Sequence, residues 1–173
     1  MSASTAALAN KDFRRIDIDQ YDEDRVLPSS LYHPDPRPAS QILSDTQAKE
    51  KQVRSLVQRG DAAGALKEVT REGEWPYGEN DVPEIRQAKA VALSAVLAIL
   101  NSTRSTDIPT LVQGLAPNEQ VTLMKYLYKA MESLGSDPNT QASGNVVLGW
   151  HEKLVEVAGI GCIVKVLSDR RRV

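Results

Sequence analysis

Three side chains here are of the types that most often do chemistry near neutral pH: His33, His151 and Cys162. A histidine titrates in that range and ligates metals, and a thiolate is a strong nucleophile. Each needs neighbours to act. His151-Glu152 begins as a zinc-peptidase helix does, but the second histidine four residues on is missing, because position 155 is Val155. Gly159-Ile160-Gly161 opens like a dinucleotide turn, yet the third glycine is replaced by Val164. There is no Gly-x-Ser-x-Gly elbow and no phosphate loop. One cysteine excludes an internal disulfide and a Cys-cluster metal site. Cys162 lies in the apolar run Ile160–Leu167, which suits a small buried hydrophobe rather than a thiol needing electropositive, accessible surroundings. His33 falls among prolines and reads as a linker residue. His151 reads as a helix-face residue hydrogen-bonded at the edge of a core. No catalytic residue, cofactor site or metal ligand is expected.

Binding residues stand out more. Arg170-Arg171-Arg172 form a basic cluster, either a solvated helix end or a protein contact. No basic stripe continues it, and the net charge is only −2, so no nucleic-acid partner is expected. Near the other terminus, Phe13, Ile16, Ile18 and Tyr21 are set among dense charge. Ile16 and Ile18 alternate with Asp17 and Asp19, the period of an extended strand. Arg14 and Arg15 precede this run, and Asp22 lies beyond it. Two readings stay open for residues 1–26: a solvated tail, or an extended arm whose apolar side chains enter pockets on a partner.

The elements that must carry these residues follow from periodicity. Residues 27–44 hold four prolines, and His33-Pro34-Asp35-Pro36-Arg37-Pro38 cannot be helical. They read as a semi-extended linker, or more weakly as a polyproline ligand. From Asp45 the period becomes helical, and residues 45–173 are long enough to bury a core. Asp45 is expected to cap a helix to about Arg59, with Ala48, Val53, Leu56 and Val57 inward. Asp61 caps Ala62–Glu72, with Gly60 and Gly73 as the stops. Trp75 should lie over apolar surface at the mouth of this hairpin. Glu84–Leu100 is apolar nearly all round, hence the central helix. Asp107 should cap a short helix to Gly114, and Pro117 opens another to about Leu134. That helix carries the stripe Val121, Met124, Leu127, Tyr128, Met131 and Leu134. In the last thirty residues Val147, Trp150, His151, Leu154 and Ala158 share a helix face, Gly159 to Gly161 break it, and the run Ile160–Leu167 follows. So apolar an element must dock on the preceding helices or on another protein.

The expected fold is therefore all-α: an irregular α-α superhelix of six or seven helices with an extended N-terminal arm. No stretch is long and apolar enough to span a bilayer. Met1–Asn10 has no secretory apolar core, so a reducing cytosolic or nuclear setting is expected. The function these features favour is an interaction module, for example a cytosolic helical-repeat adaptor binding a peptide.

Three segments go further: Phe13 to Glu23, Leu123 to Glu132, and Trp150 to Leu167. In sequence, order and distance from the last residue they resemble subunit 5 of the actin-related protein 2/3 complex, the 16 kDa subunit family. The resemblance implies a non-catalytic, cofactor-free subunit of a seven-chain assembly that nucleates branched actin in the cytoplasmic actin cytoskeleton. It implies an arm reaching actin-related protein 2 through Phe13, Arg14, Ile16, Asp17, Ile18, Asp19, Tyr21 and Asp22. It implies a helical body that binds subunit 4 and lies near the propeller subunit 1. The partner-facing role falls on the terminal helices, at Trp150, His151, Lys165, Arg170, Arg171 and Arg172.

Overall fold

The computed structural model describes residues 33–78, 82–136 and 143–173. The arm over residues 1–26 and the start of the linker lie outside the described residues. Every regular element within them is an α-helix, seven in all. They are α1 (Ala39–Gln58), α2 (Ala62–Thr70), α3 (Pro83–Ser102), α4 (Ile108–Gln113), α5 (Pro117–Ser136), α6 (Gly144–Ala158) and α7 (Gly161–Ser168).

α1 starts six residues before Asp45, and Pro38 is its N-cap, with φ −59° and ψ 139°. Proline suits that position, since no amide hydrogen is needed there. The Pro38 carbonyl accepts from the Ile42 amide at 3.0 Å and closes the first turn. Ile42, Thr46 and Val53 then set the buried face. Ala48 lies well round the helix from them and is exposed, contrary to the sequence pattern. The α1–α2 junction is as tight as expected. Gly60 takes φ +80°, the Asp61 amide reaches back to the Leu56 carbonyl at 3.0 Å, and the Asp61 carboxylate accepts from the Gly64 amide at 2.8 Å. A side chain other than glycine resists that φ. At α4, by contrast, the Asp107 side chain makes no capping bond.

α3 is the central helix and touches α1, α2, α5 and α6. Ala88, Ala92 and Ala95 are buried along it, and small side chains let neighbours approach closely. Trp150 of α6 is fully buried and donates from Nε1 to the Leu100 carbonyl at 3.3 Å, which ties α6 to the end of α3. α5 buries more than one stripe, because α2 and α3 lie against it as well as α6 and α7. Leu123 and Tyr126 are therefore buried too, while Leu134 is 37% exposed. The Tyr126 hydroxyl has no hydrogen-bond partner among the described residues, and burial pushes its pKa up.

The proline segment before α1 is bonded to this body. The His33 amide donates to the Arg170 carbonyl at 3.1 Å. The Arg37 guanidinium donates to the carbonyls of Glu74 (3.1 Å) and Trp75 (3.3 Å) and pairs with Asp35 at 2.6 Å. Trp75 is buried and donates to the Glu68 carbonyl at 2.8 Å, so the loop after α2 is a packed structure.

Candidate protein-binding surface

The residues that sequence reasoning tested for catalysis sit apart from any reactive arrangement. Cys162 is 5% exposed in the core-facing side of α7, and burial raises its pKa, offset in part by Lys165. His151 is half-buried, with Nε2 3.4 Å from the Tyr128 hydroxyl and its ring edge-on to the tyrosine at 5.6 Å. Among the described residues no group of His, Cys, Asp and Glu is placed to hold a metal ion, and no helix is long and apolar enough to cross a membrane.

The surface carries a clearer signal. α7 turns Cys162, Ile163 and Val166 toward α5 and α6. Its other side presents Ile160 (74% exposed), Val164 (60%) and Leu167 (80%). Their spacing of four and three places them in one line along the helix. Leu148 of α6 is also exposed. A single exposed apolar residue is ordinary, but three in line on one short helix form a patch that water does not favour.

The basic residues flank this ridge in different ways. Lys165 and Arg170 are exposed, and neither forms an ion pair among the described residues. Arg171 bonds Glu72 at 2.6 Å and lies 5.6 Å from the centre of the Tyr77 ring. The Arg172 carbonyl accepts from the Gly78 amide at 2.9 Å. Trp150 lies wholly inside the body and offers no surface to a partner. Sequence reasoning named the basic residues and marked the run Ile160–Leu167 for docking, but did not tell its covered face from the ridge. The signal was there: an eight-residue helix apolar on both faces has one face more than its own fold can cover.

Residues Asp169 to Val173 form a strap over the body. Lys125 Nζ donates to the Asp169 carboxylate at 2.6 Å and to the Arg171 carbonyl at 2.9 Å. Burial alone would raise the Asp169 pKa, but the Lys125 ammonium and the Arg171 amide outweigh it and hold the group low. Asp35 follows the same balance, with Arg37 as the stronger influence.

An all-α body with an uncovered apolar ridge and flanking cations has the make-up of a protein-binding module. The family described as the ARP2/3 complex 16 kDa subunit (p16-Arc) matches residues 12–173. The chain is 35% identical to actin-related protein 2/3 complex subunit 5 of Saccharomyces cerevisiae, over 94% of this chain and 98% of that protein. It is 34% identical to subunit 5-B of Xenopus laevis, over 93% and 94%. It is 31% identical to the human subunit 5-like protein, again over 93% and 94%. The chain belongs to the 16 kDa subunit family of the actin-related protein 2/3 complex.

Proposed function

We propose that this chain is a non-catalytic structural subunit of the actin-related protein 2/3 complex, working in the cytoplasmic actin cytoskeleton. Its helical body docks on subunit 4, beside the propeller subunit 1, and its arm holds actin-related protein 2 to the rest of the assembly. Family membership supports the assembly, and the ridge Ile160, Val164 and Leu167 is the observation that supports docking through the body.

Burying those three side chains is worth on the order of 5 kcal/mol in total. Association costs about 4–15 kcal/mol in lost freedom and ordering. The ridge alone is thus a marginal glue, and a subunit built on it needs further contacts. The charged groups beside the ridge supply some of these for the body itself, and an arm that reaches a second body adds another.

The test is Val164→Asp in the reconstituted complex. Val164 is exposed, so the variant should keep the helical circular dichroism of the parent. It should be lost from the complex on gel filtration. A Val164→Asp chain that remains in the complex at full occupancy rules out the ridge as the docking face.

A further inference from the structure

Beside the ridge lies a cavity of about 300 Å³, walled by α5, α7, the Trp75 loop and the C-terminal strap. Its lining includes the aromatic and apolar side chains Trp75, Tyr77, Tyr126 and Val121. The same lining carries Arg71, Lys125, Lys165 and Arg171 against two carboxylates, Glu72 and Asp169. Both carboxylates are already engaged, Glu72 by Arg171 and Asp169 by Lys125, each at 2.6 Å. Arg71 pairs with Glu68 and Glu74. Lys165 has no ion-pair partner among the described residues. Lys165 and Ser168 follow Val164 and Leu167 directly in the chain, so ridge and cavity share α7 as a common wall.

We propose that this cavity takes a carboxylate-bearing segment of the same neighbouring subunit that covers the ridge, with Lys165 as the receiving cation. The proposal rests on the docking described above and names its chemistry. An apolar ridge supplies area without direction. It fixes neither the register nor the identity of what lies on it. A charge pair at its edge does both, and suppresses partners of the wrong sign. The cavity suits that task because its lining holds four cations against two carboxylates, and a cleft lined with an excess of one sign concentrates its field on what enters. A segment with aspartate or glutamate beside its apolar stripe matches ridge and cavity together.

The experiment uses the reconstituted complex with Lys165→Glu and Lys165→Met. Lys165 is exposed and has no ion-pair partner among the described residues, so both variants should fold, as circular dichroism will report. Incorporation should weaken about tenfold for Lys165→Glu and about threefold for Lys165→Met at low salt, and the gap should close in 0.5 M salt as screening removes the charge contribution. If both variants incorporate like the parent while Val164→Asp does not, the ridge stands and the cavity proposal is overturned. If Val164→Asp is also neutral, the docking reading falls and takes this proposal with it. If Lys165→Glu assembles normally but abolishes binding of the chain to vesicles containing anionic lipid, the site serves a membrane and the proposal is likewise overturned.

Discussion

Lys89 is only 8% exposed, on the face of α3 that otherwise carries alanines and valines. Its Nζ donates to the Gly78 carbonyl at 2.6 Å. Burial, together with the positive charges of Lys129 and Arg172, lowers its pKa to about 8. The unfolded chain releases that proton only near pH 10.5. Between those values the unfolded state binds the extra proton, so raising the pH favours the fold. Below pH 8 both states are protonated and the penalty for the buried ammonium is complete. Lys89→Met should therefore flatten the rise in stability between pH 8 and pH 10.5, measured by urea unfolding against the parent. An unchanged pH profile would show that the ammonium is solvated in the fold. Nothing in the spacing of Lys89 along an otherwise apolar helix reveals that it pins a loop eleven residues back.

At the scale of elements, the helices were legible and their outer faces were not. The turn between α1 and α2 was readable because Gly60 and Asp61 are local devices that act on neighbouring backbone. The early start of α1 was not, because Pro38 reads equally well as the end of a linker or as the cap of a helix. The second buried face of α5 depends on α2 and α3, which no periodicity within α5 reports. The arm and the basic cluster were visible in composition, whereas the ridge became visible only when α7 was seen to have its other face covered. The Trp75 loop shows how much hangs on one side chain. Trp75 fills the mouth of the hairpin, and the carbonyls of the loop receive Arg37 and Lys49. Trp75→Ala should cost about 3–5 kcal/mol in urea unfolding, the usual loss for a large aromatic removed from a core. Trp75→Phe should cost less, since it keeps most of the volume but leaves the Glu68 carbonyl without its donor. Equal losses for the two would mean that the hydrogen bond, not the packing, holds the loop.

For the molecule as a whole, the strap and the proline segment decide where an arm would be anchored. His33 is bonded to Arg170, three residues beyond Leu167, so the described start of the proline segment lies beside the end of the ridge helix. Residues 23–32, between the last of the named arm residues and His33, are ten in number and span at most about 36 Å when extended. Over such a distance a tethered group meets its pocket at an effective concentration in the millimolar range. Under the proposed arrangement modest pockets for Ile16 and Ile18 would suffice, because the body's docking would already bring them close. Ile16→Asp with Ile18→Asp should leave the body in the complex, release actin-related protein 2 on dilution, and lower the branching rate. Doubling the stretch with ten Gly/Ser residues should have a smaller effect, about threefold in retention, since effective concentration falls roughly as the −3/2 power of length. The two variants separate the grip from the tether. If the double aspartate variant retains actin-related protein 2 and branches actin like the parent, the arm does not hold that subunit. If the insertion matches the double aspartate in severity, the stretch acts as a rigid spacer whose length sets the geometry.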